Sequence, residues 1–256
     1  MIKHIFPSKY VGFGTSVLVL CFVFYYTSSN VFAQNNDALY IVTENYPPYE
    51  MSEPQNELRG FDYEVATEIF KQMGYRSKID FLPWGRVLML TRKGKTVGVL
   101  TCAKNKERSN YIIFSDPISD FTHGFFVRSE FQGPVPKSLR DVRGQKIASI
   151  KGYESQQELL DAGLEPLEVT NTPSAIKTLL ARRFDYLYVA EETTAFTIKN
   201  MGHTDKFAFH PLGKKSFHFC FSKNYPNVEK IVVEFNETLA KIKLSGWYDE
   251  IHAKYR

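Results

Sequence analysis

Five short stretches carry side chains able to bind or react: Glu44, Asn45 and Tyr46; Trp84 and Arg86; Thr101 through Arg108; Gly152, Tyr153, Glu154 and Ser155; and Glu191 with Glu192. A guanidinium offers a planar fork of donors to a carboxylate, a carboxylate draws a cation, and an aromatic ring supplies a flat wall with a polar tip. Glu44, Glu154 and Glu191 beside Arg86 and Arg108 suit a zwitterionic or partly cationic solute. Trp84 reads equally as pocket wall or as core, since large aromatics are mostly structural. Motifs for catalysis or cofactors are missing. "RKGKT", Arg92 to Thr96, imitates the end of a phosphate loop, but Met89 stands where its first glycine belongs. The histidines lack paired metal-ligand spacing, and no Gly-x-Ser-x-Gly occurs. No cofactor and no metal are expected.

The elements that must position these residues alternate between strand and helix. "ALYIVT", Ala38 to Thr43, is a buried strand, and the proline-stiffened "ENYPPYE" cannot continue it. Phe61, Val65, Ile69 and Met73 recur every four residues and Gly74 follows, which is a helix with one apolar face and a glycine cap. A strand at Ile79–Leu82, a short helix near Arg86–Thr91, a strand at Thr96–Cys102 and a strand at Tyr111–Phe114 that stops at Ser-Asp-Pro complete the first block. After the turn-rich "SEFQGPVPKSLRDVRG" the pattern resumes. Gln145–Ile150 is a strand, Ser155–Ala162 a helix closed by Gly163, and Thr172-Pro173 cap and open a helix through Ala181. Phe184–Ala190 is a strand, Glu191–Met201 a helix, "FHFCFS" a last strand after "HPLGKKS", and Ile231, Phe235, Leu239 and Ile242 share a face of a long helix. Alternation of this kind predicts mostly parallel sheets with helices on their faces, and open α/β sheets bind ligands beyond the C-terminal ends of their strands, where the five stretches fall.

With 43% hydrophobic and 23% charged residues and no low-complexity tract, the chain of 256 residues has ample core for one large domain or two smaller ones. A formal net charge of +4, partly from Lys3 and Lys9, is too small to imply a nucleic acid or membrane surface as partner. Lys3 and Lys9 precede an apolar run from Val11 to Tyr26, and Val31-Phe32-Ala33 fits the small-residue cleavage rule, so residues 1–33 read as a signal peptide and the mature chain starts at Gln34. The run is shorter than the roughly 20 apolar residues that span a bilayer. Cys21 does not read as a lipid-anchor site, because Leu20 before it is bulky. Export leaves Cys102 and Cys220 in a compartment that permits disulfides, where they are either a bridge or two buried small hydrophobes.

"YPPYE" with "LRGFDYEVATEIFKQMGY", "NKERSNYIIFSDP", "LRDVRGQKIASIKGYES" and "LAKIKLSGWYDEIHAKY", in this order and spacing, resemble the bacterial family 3 solute-binding proteins of ABC transporters for polar amino acids. The resemblance covers nearly the whole mature chain and implies a type II periplasmic-binding-protein clamp: two α/β lobes, each a mostly parallel sheet flanked by helices, joined by two crossover strands. Lobe one is then 34–120 plus 214–256 and lobe two 121–213. It also implies a periplasmic monomer that holds a small polar solute, an amino acid or a derivative, and presents it to an inner-membrane ABC permease. In the family the arginine of the "ER" pair grips the ligand's carboxylate, and Arg108 holds that place; Tyr46 matches a stacking aromatic, and Gly152 to Ser155 occupy the turn that meets the carboxylate from the second lobe. Two departures bear on the ligand. Glu154 brings a negative charge to that turn, and the acid that meets the α-ammonium aligns with Ala190, beside Glu191 and Glu192. Either a neighbouring glutamate takes the role or the ligand is no ordinary α-amino acid. The family resemblance also admits a cyclohexadienyl-dehydratase-like enzyme, with Glu154 or Glu191 as general acid, and a sensor that hands its solute to a membrane receptor.

Overall fold

The computed structural model describes residues 38–255; the expected signal peptide and cleavage site lie outside the described residues. The elements run β1 (Leu39–Thr43), α1 (Phe61–Gln72), β2 (Ser77–Phe81), α2 (Trp84–Arg92), β3 (Gly98–Ala103), β4 (Ile112–Arg128), β5 (Ile147–Ile150), α3 (Glu154–Asp161), β6 (Leu167–Val169), α4 (Thr172–Leu180), β7 (Tyr186–Ala190), α5 (Glu191–Asn200), β8 (Phe207–Ser222), α6 (Val228–Leu244) and α7 (Trp247–Ala253). Their sheet order is β2-β1-β3-β8-β4-β7-β5-β6. The flanks are parallel, β1 with β2 and β3 on one side and β5 with β6 and β7 on the other. The middle is antiparallel, because β8 pairs with both β3 and β4, and β4 pairs with β7. This is the expected clamp of two lobes, and β4 and β8 are its two crossovers.

Those crossovers differ from the expected short strands. β4 does not stop at Ser115-Asp116-Pro117; it continues through register breaks between Phe114 and Pro117 and between Pro117 and Ser119 as far as Arg128. A proline has no N–H for a ladder, so the chain passes it with irregular pairing instead of ending. β8 likewise begins at Phe207, ten residues before the expected "FHFCFS". Its first half, broken by Pro211 and Gly213, has no clean strand alternation of its own and is held by pairing with β4 from Thr122↔Lys214 to Arg128↔Phe207. The edge strand β6 was not anticipated at all, being three residues long. The cap of α4 is Asn171, whose side chain accepts from the Ser174 N–H, rather than Thr172.

Two features of the first lobe fix the site. The every-four spacing of α1 buries Val65 and Ile69 against Phe70, Phe219 and Phe235, whose rings meet at centroid distances of 5.2–5.4 Å. Gly60, at φ +106°, starts that helix against the preceding loop, where a Cβ would stand 2.2 Å from the Tyr49 carbonyl oxygen. Glycine there brings the loop carrying Tyr46 and Glu50 onto Asp62 at the start of α1. At the wall of the site, Cys102 forms a disulfide with Cys220 at a Cα–Cα separation of 6.1 Å, tying β3 to β8. Among the described residues no helix is long and apolar enough to cross a membrane.

Candidate functional site

Seven of the expected residues, Glu44, Tyr46, Trp84, Thr101, Arg108, Tyr153 and Glu154, line one cavity of about 40 Å³ where the two lobes meet. At its centre is Arg108, on a single 3-10 turn just before β4 and only 2% exposed. Its Nη1 donates to the Ala103 carbonyl at 2.6 Å and its Nη2 to the Gly152 carbonyl at 3.0 Å, while the guanidinium lies 5.0 Å from the centroid of the Trp84 ring. Among the described residues no carboxylate forms an ion pair with it. Burial lowers its pKa, and Glu154, Glu107 and Glu44 oppose that only from a distance. A buried cation without a contacting anion is costly unless a partner compensates it.

Around that cation the lobes interlock. The Trp84 indole Nε1–H donates at 2.9 Å to the Gly152 carbonyl already taken by Arg108. Trp84 is thus both wall and platform: its indole nitrogen reaches across the cleft and its ring lies beside the arginine. Gly152 has φ +76°, a conformation that suits glycine in the turn entering α3. Tyr153 follows, edge-on to Tyr46 at 6.0 Å and to Trp84 at 5.9 Å. Tyr46 in turn stacks on Tyr49 at 5.6 Å.

The carboxylates fall into three settings. Glu44 has its pKa pushed up to about 7 by burial, which a hydrogen bond from Tyr153 and the charge of Arg108 only partly offset. Glu154 is also raised by burial and by Glu158, but Lys215 from β8 holds it at 2.5 Å and Glu158 as well. The negative charge that Glu154 adds at the turn is therefore met by a lysine from the crossover. Tyr188 donates to the same Glu158 at 2.9 Å.

The third setting joins the cavity wall, where Glu50 and Thr101 stand, to Asp62 behind it. Glu50 and Asp62, 1% and 0% exposed, are bridged by the Thr101 hydroxyl at 2.6 and 2.9 Å. Thr43 donates to Glu50 and Ser119 to Asp62. A hydroxyl has one proton to give, so Thr101 cannot donate to both acids, and one of the carboxyls must be protonated to complete the bridge. Burial raises both, Asp62 to about 7, and Asp62 Oδ1 has no hydrogen-bond partner among the described residues, as fits a neutral carboxyl.

Because the folded state holds this proton more tightly than the unfolded chain, the contribution of Asp62 to stability is fully present below about pH 4 and is lost as pH rises through about 7. The slope is at most about 1.4 kcal/mol per pH unit for one proton. Urea unfolding at pH 5 and pH 8 is expected to show the wild type less stable at the higher pH, and Asp62→Asn to lose part of that dependence. Identical pH dependence in the two proteins would mean that Asp62 is ionised throughout.

Gly152, Arg86, Ser155 and Glu191 lie outside the cavity lining, Gly152 reaching Arg108 through its carbonyl. Arg86 is two residues beyond buried Trp84, on the exposed side of α2. Ser155 turns inward to hydrogen-bond Ser149 at 2.8 Å. Glu191 opens α5 beside Glu192, which accepts from the Thr122 N–H at 2.8 Å, and Ala190 is packed in the core opposite His123. Glu50 and Lys215 are the additions that sequence reasoning missed. Glu50 closes "YPPYE" and read as loop; Lys215 sits in "HPLGKKS", which read as a connection.

With this geometry in hand, comparisons with known proteins agree on one family. The family model for bacterial extracellular solute-binding proteins, family 3, matches residues 39–256. The ABC transporter glutamine-binding protein GlnH of Bacillus subtilis is 25% identical over 206 residues, 78% of this chain and 73% of that protein. The arginine-binding periplasmic protein of Mannheimia haemolytica is 23% identical over 238 residues, 88% of this chain and 93% of that protein. In fold, a histidine kinase sensor domain with similarity to periplasmic binding proteins superposes with a TM-score of 0.77 at 21% identity, covering 86% of this chain and 96% of that one.

Proposed function

We propose that this chain, which belongs to the bacterial extracellular solute-binding proteins, family 3, grips a small carboxylate-bearing solute between its lobes and presents it in the periplasm to an ABC permease. The observation that carries the reading is Arg108: a buried guanidinium whose fork meets only backbone carbonyls and has no carboxylate in contact among the described residues. A solute carboxylate supplies the missing anion through parallel charge-assisted hydrogen bonds. Glu44 gives the same cavity a carboxyl that can meet a cationic group, Glu154 being held by Lys215, so the solute is amino-acid-like, with ammonium recognition moved from the position of Ala190 to Glu44. Relatives named for glutamine and for arginine support that class.

We place lobe one at 34–120 plus 214–256 and lobe two at 121–213. Both cuts fall at one level of the paired crossovers, between Asp120↔Ser216 and His123↔Gly213, which is where a hinge would bend. The relatives named above are binding proteins, and the site is read as binding without turnover.

A thermal-shift screen of the exported protein against amino acids, their amides, polyamines and small carboxylates tests this. A solute at about 100 times its Kd adds roughly 2.7 kcal/mol of stability. The stabilising solute is expected to carry a carboxylate and to compact the molecule in small-angle scattering. Stabilisation only by solutes without a carboxylate would sink the reading.

A further inference from the structure

The cavity at Arg108 is too small for a whole solute. Its volume of about 40 Å³ has room for a few waters or one carboxylate group and falls far short of the roughly 300 Å³ at which small-molecule sites begin. Glu44 and Tyr153 form part of its wall, and the same two side chains also wall a second chamber of about 300 Å³. That chamber lies within the range of small-molecule sites. It is bounded by the loop after β1, by the first turn of α4 at Asn171 and by α5 at Thr193 and Thr197.

The chemistry of the two spaces differs. Around Arg108 one cation is fixed. In the chamber the only charged residues among the described lining are Glu44 and Glu53; the other walls are amides and hydroxyls such as Asn45 and Asn200, with Phe196 and Met51 as apolar surface. Such a wall attracts an ammonium group, accepts N–H donors, tolerates a short apolar segment and repels a second carboxylate.

Resting on the carboxylate-binding reading of Arg108, we propose that the solute is of dipeptide length, with its carboxylate at Arg108 and an amine-bearing tail running past Glu44 and Tyr153 into the chamber. Glu44, shared by both spaces, sits at mid-length of such a molecule. Specificity then comes from the tail, because the chamber offers the larger and more varied surface.

Isothermal titration of the exported protein with L-glutamine, L-lysyl-L-glutamine and L-aspartyl-L-glutamine tests this. The lysyl dipeptide is expected to bind about tenfold or more tighter than glutamine, worth some 1.4 kcal/mol, and the aspartyl dipeptide no tighter than glutamine. Thr197→Trp, and independently Gln55→Trp on the exposed loop, each fill the chamber and are expected to bring the lysyl-to-glutamine affinity ratio down to about one. A lysyl dipeptide with no advantage, or an advantage that survives both tryptophans, overturns the inference. Glutamine binding without any dipeptide advantage sinks the inference alone and leaves the Arg108 reading intact. If none of the three binds, the inference also falls, and the thermal-shift screen decides the reading beneath it.

Discussion

Arg108→Ala is expected to weaken solute binding by about 2–5 kcal/mol, roughly 30- to 5,000-fold. The size follows from burial. A guanidinium that is 2% exposed has already left water, so the charge it meets in the solute is neither screened nor shared with solvent. Arg108→Lys should lose a large part of the same affinity, because an ammonium keeps the charge but not the planar fork. Arg108→Met separates binding from folding. It removes the same charge while keeping most of the side-chain volume beside Trp84, and it relieves the desolvation of a cation that no carboxylate among the described residues touches. Binding is expected to collapse while the melting temperature stays at or above that of the wild type. Undiminished affinity in any of the three variants would remove Arg108 from the site, as measured by titration with the solute found in the thermal-shift screen.

Loss of the disulfide is the second large effect. Cys102 and Cys220 are 118 residues apart, and closing a loop of that length restricts the unfolded chain by about 5 kcal/mol in the chain-entropy treatment. At roughly 2–4 °C per kcal/mol for a protein of this size, Cys102→Ala with Cys220→Ala is expected to melt some 10 °C or more lower. The two cysteine residues are 2% and 0% exposed, so the oxidised protein should resist mild reductant until it unfolds. Thermal unfolding of the wild type and the double variant, each with and without reductant, checks this. Equal melting temperatures without reductant would show that the bridge constrains nothing that matters. Because Cys102 itself lines the cavity between Thr101 and Ala103, the double variant also alters that wall directly.

Most of the fold was legible because its signals are local. The apolar residues of α1 recur every four positions, and the short strands β1, β5 and β7 are continuous apolar runs. The first half of β8 carried no such signal, since what makes it a strand is a partner on β4 roughly 80 to 90 residues earlier. The site divides in the same way. Glu44, Tyr46 and Arg108 follow from their places after strands and from the family resemblance, and Thr101 from its place near the end of β3. Glu50 and Asp62 meet Thr101 across 51 and 39 residues, and Lys215 meets Glu154 across 61, contacts that only the folded chain creates. Arg86 shows the opposite error: two helical steps from Trp84 turn a side chain by about 200°, from the buried face to the exposed one. One step has the same consequence for Ser155, which leaves Glu154 at the cavity and turns into the second lobe.

The two crossovers are paired along nearly their whole length, from Ile112↔Ser222 to Arg128↔Phe207, with register breaks at Pro117 and between His123 and Gly124. Mechanically this is a leaf spring. A ribbon of two hydrogen-bonded strands resists shear in its own plane and yields across its face, and it yields most where the ladder is interrupted. The stiffness of the spring enters the equilibrium between open and closed lobes whatever the solute happens to be. Substitutions at Pro117 or Gly124, which line neither cavity, can therefore raise or lower affinity for every ligand by a common factor. Selectivity and strength of binding are thereby adjustable separately, the first at the walls and the second in the ribbon.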